Sequence, residues 1–110
     1  MLSRCQWSDA YLGNNYYYLN KFEAIDIGYP NGAIIYKSQQ ENVFQNVIVH
    51  GNVVNVNFNE QFILAKQSPL KNPTDTVYFI ILKKLDKVYG PLKANSFTNM
   101  KKVFKIYLTF

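Results

Sequence analysis

The chain has one cysteine, one histidine and, from Val77 onward, no arginine. Each scarcity excludes something. A lone Cys5 forms no intramolecular disulfide, and one Cys with one His50 leaves no set of ligands for the usual zinc clusters. No run of 18 or more apolar residues is present, so no segment reads as a membrane-spanning helix. No charged stretch followed by an apolar one precedes Cys5, so a full signal peptide is not read there. Phosphate loops, dinucleotide fingerprints, paired histidines at metal spacing and nucleophile elbows are missing as well. No cofactor is expected.

What is abundant is apolar and aromatic. Hydrophobic residues make up 48% of the 110 positions against 17% charged, the balance of a packed globule rather than a disordered tail. Nine Tyr, eight Phe and Trp7 favour strands, because flat rings suit pleated, half-buried surfaces. A chain of this length suits one domain. The net charge of +5 is unevenly placed: up to Thr76 basic and acidic residues nearly balance, whereas Lys83, Lys84, Lys87, Lys93, Lys101, Lys102 and Lys105 face only Asp86. Lysine without arginine lacks the bidentate forks that read phosphates and bases, so nucleic acid is not the expected partner. The excess reads as a solvated face, with steering of an anionic partner as the other reading.

The pattern predicts an α+β, mainly β fold: one antiparallel meander of five to seven strands closed by a C-terminal amphipathic helix. Residues 1–15 read as a flexible tether and 16–110 as a single globular domain, with Gly13-Asn14-Asn15 as a turn signal. YYYL (16 to 19), EAIDI (23 to 27) and AIIYK (33 to 37) read as strands, the last two joined through Tyr29-Pro30-Asn31-Gly32. Gly51-Asn52 and Asn59-Glu60 read as hairpin turns. That register pairs 49 with 54, 47 with 56, 58 with 61 and 56 with 63. One face then collects Val47, Val49, Val54, Val56, Phe58, Ile63 and Ala65. The other face is mixed: Ile48, His50, Val53, Asn55, Asn57, Phe62, Leu64 and Lys66. TVYFIILKK (76 to 84) is apolar on both sides and predicts a strand covered on both faces, with Pro91 ending the segment after it. Over ANSFTNMKKVFKIY, Phe97, Met100, Val103, Phe104 and Tyr107 recur at helical spacing, and Asn95 or Ser96 is placed to cap.

Catalysis finds little support in these residues. His50 beside a turn is a general-base candidate whose bland reading is a turn-flanking polar residue, and Cys5 as a nucleophile lacks a base near it in sequence. Glu23 and Asp26 fall on opposite faces of a strand. A non-enzymatic binding domain is therefore expected. The possible binding surface comprises Trp7, Tyr11, Tyr17, His50, Asn55 and Asn57, since tyrosines and tryptophan recognise peptides or sugars by area and stacking. The expected partner is an unidentified protein, peptide or glycan. Two rivals stand beside this reading: a small intracellular immunity-type or inhibitor protein, and a small hydrolase.

The order YYYL, EAIDIGYPNGAIIY, GNVVNVNFNEQFILAKQ, YFIILKK, VYGPLK and a tail of the form F-x-x-M-K-K-x-F resembles a family of small uncharacterised bacterial proteins. Many of these come from Bacteroides-type organisms, and many are made as lipoproteins. The resemblance runs from about Tyr16 to Ile106 and rests on structural motifs, so it bears on fold and not on mechanism. It implies a second role for Cys5, lipid attachment, with Leu2 three residues before it and a polar Gln6-Trp7-Ser8-Asp9 tether after it. Arg4 departs from the small residue that such a signal has before the Cys, and the apolar stretch would lie upstream of Met1. The implied location is the cell envelope, membrane contact being made only through that lipid, with the cytoplasm as the alternative.

Overall fold

The computed structural model describes residues 10–26, 28, 32–39, 46–68 and 75–110. It divides into two compact units, Met1–Gly51 and Asn52–Phe110. Each is a four-stranded antiparallel meander, giving eight strands among the described residues, so two sheets replace the single sheet of five to seven strands.

The first unit contains β1 (Ala10–Gly13), β2 (Tyr16–Leu19), α1 (Lys21–Asp26), β3 (Ile34–Lys37) and β4 (Asn46–Val49), with the strands side by side in that order. Among the described residues, regular structure is already present at Ala10, ahead of the expected order from Tyr16. The GNN signal is the tip of a hairpin: Gly13 pairs with Tyr16, and Asn14 and Asn15 take φ of 51° and 69°. Two successive positive φ values make a turn whose twist matches the flanking strands, and asparagine tolerates them.

The EAID part of the expected strand, 23 to 26, is helical and lies in α1, and Ile27 lies outside the described residues. Asn20 ends β2 with its side chain placed as a cap: its Oδ1 accepts the Glu23 backbone N–H at 3.0 Å, and its carbonyl accepts the Ala24 N–H at 2.9 Å. Asn with Glu three residues later is the helix-start pattern that outweighs a short alternation of Ile and Ala. Ala24 is the residue α1 buries, packing with Leu19, Ile34 and Tyr36, while Phe22 and Ile25 stay exposed. β3 therefore pairs with β2 across the helix, Tyr17 opposite Tyr36 and Leu19 opposite Ile34. The Tyr29-Pro30-Asn31 part of the expected turn lies outside the described residues. On the reverse face of this sheet Tyr16 and Ile35 are buried too.

The second unit contains β5 (Val53–Phe58), β6 (Phe62–Gln67), β7 (Val77–Leu82), β8 (Lys87–Leu92) and α2 (Ala94–Phe104). The expected hairpin at Gly51-Asn52 does not form, since β4 pairs with β3 and β5 with β6. Both residues do have positive φ, 144° and 43°. That conformation leads the chain out of one sheet and into the next instead of folding it back on itself.

The hairpin between β5 and β6 forms one position later than expected. Its loop is Glu60-Gln61, closed by the Asn59 N–H donating to the Phe62 carbonyl at 3.0 Å. Asn59 Oδ1 also accepts the Gln61 and Phe62 N–H groups at 2.9 and 2.8 Å, an Asx turn that sets where the chain reverses. Phe58 therefore pairs with Ile63 and Val56 with Ala65. Each partner moves by two residues, and because side chains alternate with period two, the face assignments survive. A bulge between Val53 and Asn55 makes one exception: Val53 is buried and Val54 is 46% exposed, the reverse of the expected faces.

Both faces of β6 and β7 are buried, as an apolar run requires. Leu64 and Ile80 lie under α2 with Phe97 and Ile106, flanked by Phe62, Tyr78, Leu82, Tyr89 and Leu92. On the reverse face Ile63, Ala65, Phe79 and Ile81 are buried. Pro91 does not end the preceding strand but lies inside β8, with a cis Gly90-Pro91 bond. β8 is at the edge of its sheet, and the register shifts between Tyr78 and Ile80, the two settings in which a strand tolerates proline.

α2 is shorter than the periodicity suggested. Its N-cap is Lys93, without a side-chain cap bond, rather than Asn95 or Ser96. Lys105 ends it in the left-handed conformation at φ 56°, ψ 45°. The Lys105 N–H donates to the Lys102 carbonyl and the Ile106 N–H to that of Lys101, a Schellman closure that turns Ile106 into the core. The break takes Tyr107 off the helical stripe and leaves it 87% exposed, and Val103 is 75% exposed.

Candidate functional site

Cross-strand pairing assembles a row of rings on the first sheet. Tyr11 on β1 lies opposite Tyr17 on β2, which lies opposite Tyr36 on β3. Ring centroids are 5.2 Å apart for Tyr11 and Tyr17, tilted at 55°, and 5.1 Å for Tyr17 and Tyr36, stacked at 12°. Exposure falls along the row: Tyr11 is 55% exposed, Tyr17 half-buried and Tyr36 buried. The Tyr11 hydroxyl accepts the Asn15 backbone N–H at 3.3 Å, which ties the outermost ring to the hairpin it stands on. On the opposite face Tyr18 is half-buried, and burial raises its phenol pKa above the usual 10.

The remaining expected surface residues do not join this row. His50 is exposed just after β4. Asn55 and Asn57 belong to β5, in the other sheet, so the three do not share the face of one meander. Asn55 is exposed, and Asn57 donates from Nδ2 to the Thr109 carbonyl at 2.6 Å, holding the segment that follows α2. Asn57 pairs with Leu64, which packs under α2, so it lies on the helix side of the second sheet. Cys5 and Trp7 lie outside the described residues. Among the described residues no three of His, Cys, Asp or Glu group together in a way that could hold a metal ion, and no helix is long and apolar enough to cross a membrane.

A second feature was visible in the sequence only as a charge imbalance. Lys101, Lys102 and Lys105 line an open cleft of about 430 Å³ with Thr98, Ile106 and Tyr107. The lysines sit on the last turn and cap of α2, where positive charge complements the helix dipole. Lys101 is positioned by the Phe97 ring, its Nζ 5.4 Å from the centroid. None of the six lining residues is acidic.

Elsewhere in the second unit, Lys83 is buried at 4% exposure, its Nζ 5.4 Å from the centre of the Phe58 ring. Burial lowers its pKa from 10.5, and the nearby Glu60 carboxylate opposes that shift.

Two antiparallel meanders, each with a helix against one face of its sheet, define a mainly β protein with a C-terminal helix. The chain belongs to the family described as "Protein of unknown function (DUF3997)", whose model matches residues 14–110. No curated protein and no solved structure matches it.

Proposed function

We propose that the chain is a non-enzymatic binding module of the bacterial envelope, tethered through a lipid on Cys5, which takes a glycan by ring stacking on the tyrosine row. The observation that carries this reading is the outermost ring: Tyr11 is 55% exposed and backed by Tyr17. A ring held in place before the partner arrives loses little rotamer freedom on binding, and a half-open aromatic face suits the C–H face of a sugar. Tyr17 and Tyr36 give the platform its stiffness, since both are packed against the Leu19, Ala24 and Ile34 core. The tether rests on the sequence alone, on Leu2 ahead of Cys5 and the polar stretch after it.

A glycan array probed with the recombinant chain, followed by titration of the best binder, tests the reading. Tyr11→Ala is expected to weaken binding about tenfold, the worth of one aromatic contact, while Tyr11→Phe retains it. Equal affinity in Tyr11→Ala, or capture of peptides and no glycan, overturns the glycan assignment. The mass of the N-terminal peptide from the native protein tests the tether separately, and an unmodified Cys5 refutes it.

A further inference from the structure

The C-terminal part of the chain combines two features that a merely solubilising face does not need together. Between Lys87 and Phe110 there are five lysines and no aspartate or glutamate, and three of them converge on the cleft at the end of α2. Next to them in sequence, Val103 is 75% exposed and Tyr107, which lines the same cleft, is 87% exposed. A solvated face would carry charge without holding an aliphatic and an aromatic side chain out into water. The negative end of the helix is also partly neutralised: the Lys101 and Lys102 carbonyls accept the Ile106 and Lys105 N–H groups. The ammonium groups therefore dominate the potential there.

We propose that the outer face of α2 docks on an anionic lipid bilayer, with Lys101, Lys102 and Lys105 at the headgroup phosphates and Val103 and Tyr107 at the boundary with the acyl chains. A bilayer surface accepts both kinds of side chain at once. Lysine stems lie along the apolar boundary while their ammoniums reach the phosphates, and tyrosine partitions to the headgroup level. A compact soluble anion would use the lysines and leave the exposure of Val103 and Tyr107 without a role. Lysine rather than arginine also fits, because a fluid array of phosphates presents no fixed geometry for a planar fork to match. With its other face committed to Leu64 and Ile80, α2 rests on the surface and does not enter it. The contact is reversible and dependent on ionic strength. It is independent of the tyrosine row, which lies in the other unit.

Co-sedimentation of the recombinant chain with vesicles tests this, using phosphatidylglycerol mixed with phosphatidylcholine against phosphatidylcholine alone. Binding is expected on the anionic vesicles only, and it falls steeply as salt rises. The triple variant Lys101→Gln, Lys102→Gln, Lys105→Gln is expected to lower partitioning by on the order of a hundredfold, about fivefold per lysine. The double variant Val103→Ser, Tyr107→Ser keeps every charge and is expected to lose about tenfold. Equal binding to neutral vesicles overturns the proposal, as does a double variant that binds like the parent. Saturable binding of inorganic phosphate at the Lys105 and Tyr107 amides, seen by NMR without any vesicle binding, would reassign the cleft to a soluble anion.

Discussion

Gly90 is the position where the fold leaves least room for change. It takes φ +150° in β8, opposite the register shift in β7. A β-carbon built there would stand 2.5 Å from Phe79 Cδ2 and 2.8 Å from the Tyr78 carbonyl oxygen. Neither neighbour yields easily: the Phe79 ring is buried, and Tyr78 O is backbone in a paired strand. Gly90→Ala therefore carries two costs, about 2 kcal/mol for a conformation that L residues rarely adopt and about 2 kcal/mol for overpacking. Gly28 separates the two, since it has φ +105° and nothing within 4 Å of its would-be β-carbon. Gly28→Ala should cost only the first, about 2 kcal/mol. The two glycines lie in different units, so hydrogen exchange is the suitable assay: β7 and β8 amides report on Gly90, and β2 and β3 amides on Gly28. The expectation is a loss of about 4 kcal/mol in the second unit against about 2 in the first. Equal losses would show that the strand shifts to admit a methyl group and would refute the close-contact argument.

Two other substitutions test the helix end and the buried charge. Lys105 closes α2 from a left-handed conformation that costs a non-glycine residue about 1 kcal/mol, so Lys105→Gly should raise the midpoint of urea denaturation, and an unchanged or lowered midpoint counts against the Schellman closure. For Lys83 the folded pKa lies below the 10.5 of the unfolded chain, so between those two values the unfolded state binds more protons. Its contribution makes stability rise with pH through that window and level off above it. Tyr18 acts with the opposite sign above pH 10, where the unfolded phenol ionises first and stability falls. Lys83→Met should remove the rise and keep the fall in a pH series of denaturation curves. A series unaltered by Lys83→Met would mean that the ammonium is solvated in the folded state.

How much of this was legible in the sequence depends on which signal each element used. YYYL, VYFIIL and the Phe97–Phe104 stripe were readable because a strand or helix that buries a face must repeat with its own period. EAIDI was misread because five residues cannot establish a period, and the decisive atom, Asn20 Oδ1, stands outside the stretch. Gly51-Asn52 was misread for a different reason. Positive φ was rightly expected there, but it permits a change of direction without specifying which strand the chain meets next, and that partner is chosen by contacts far away in sequence. The β5–β6 hairpin shows the converse case. The turn was displaced by one residue, yet the burial pattern of Leu64 and Ile63 came out right, because a shift of two in the pairing preserves every face.

The same distinction explains why the two candidate surfaces were unequally visible. Tyr11 and Tyr17 stand six residues apart across a two-residue turn, so a local hairpin is enough to bring them together, and Tyr36 joins through the next strand pairing. The basic cleft needs more than proximity. On a helix continued past Phe104, Tyr107 would follow Phe97, Met100 and Phe104 toward the sheet, and the lysines would line an ordinary solvated flank. The left-handed Lys105 diverts the chain, sends Ile106 inward in place of Tyr107, and leaves Tyr107 exposed beside Lys101, Lys102 and Lys105. One backbone conformation at a single residue thus converts a charge excess into a shaped surface. Lys105 is neither the Gly nor the Asn that signals such an ending, which is why periodicity alone extended the helix through it.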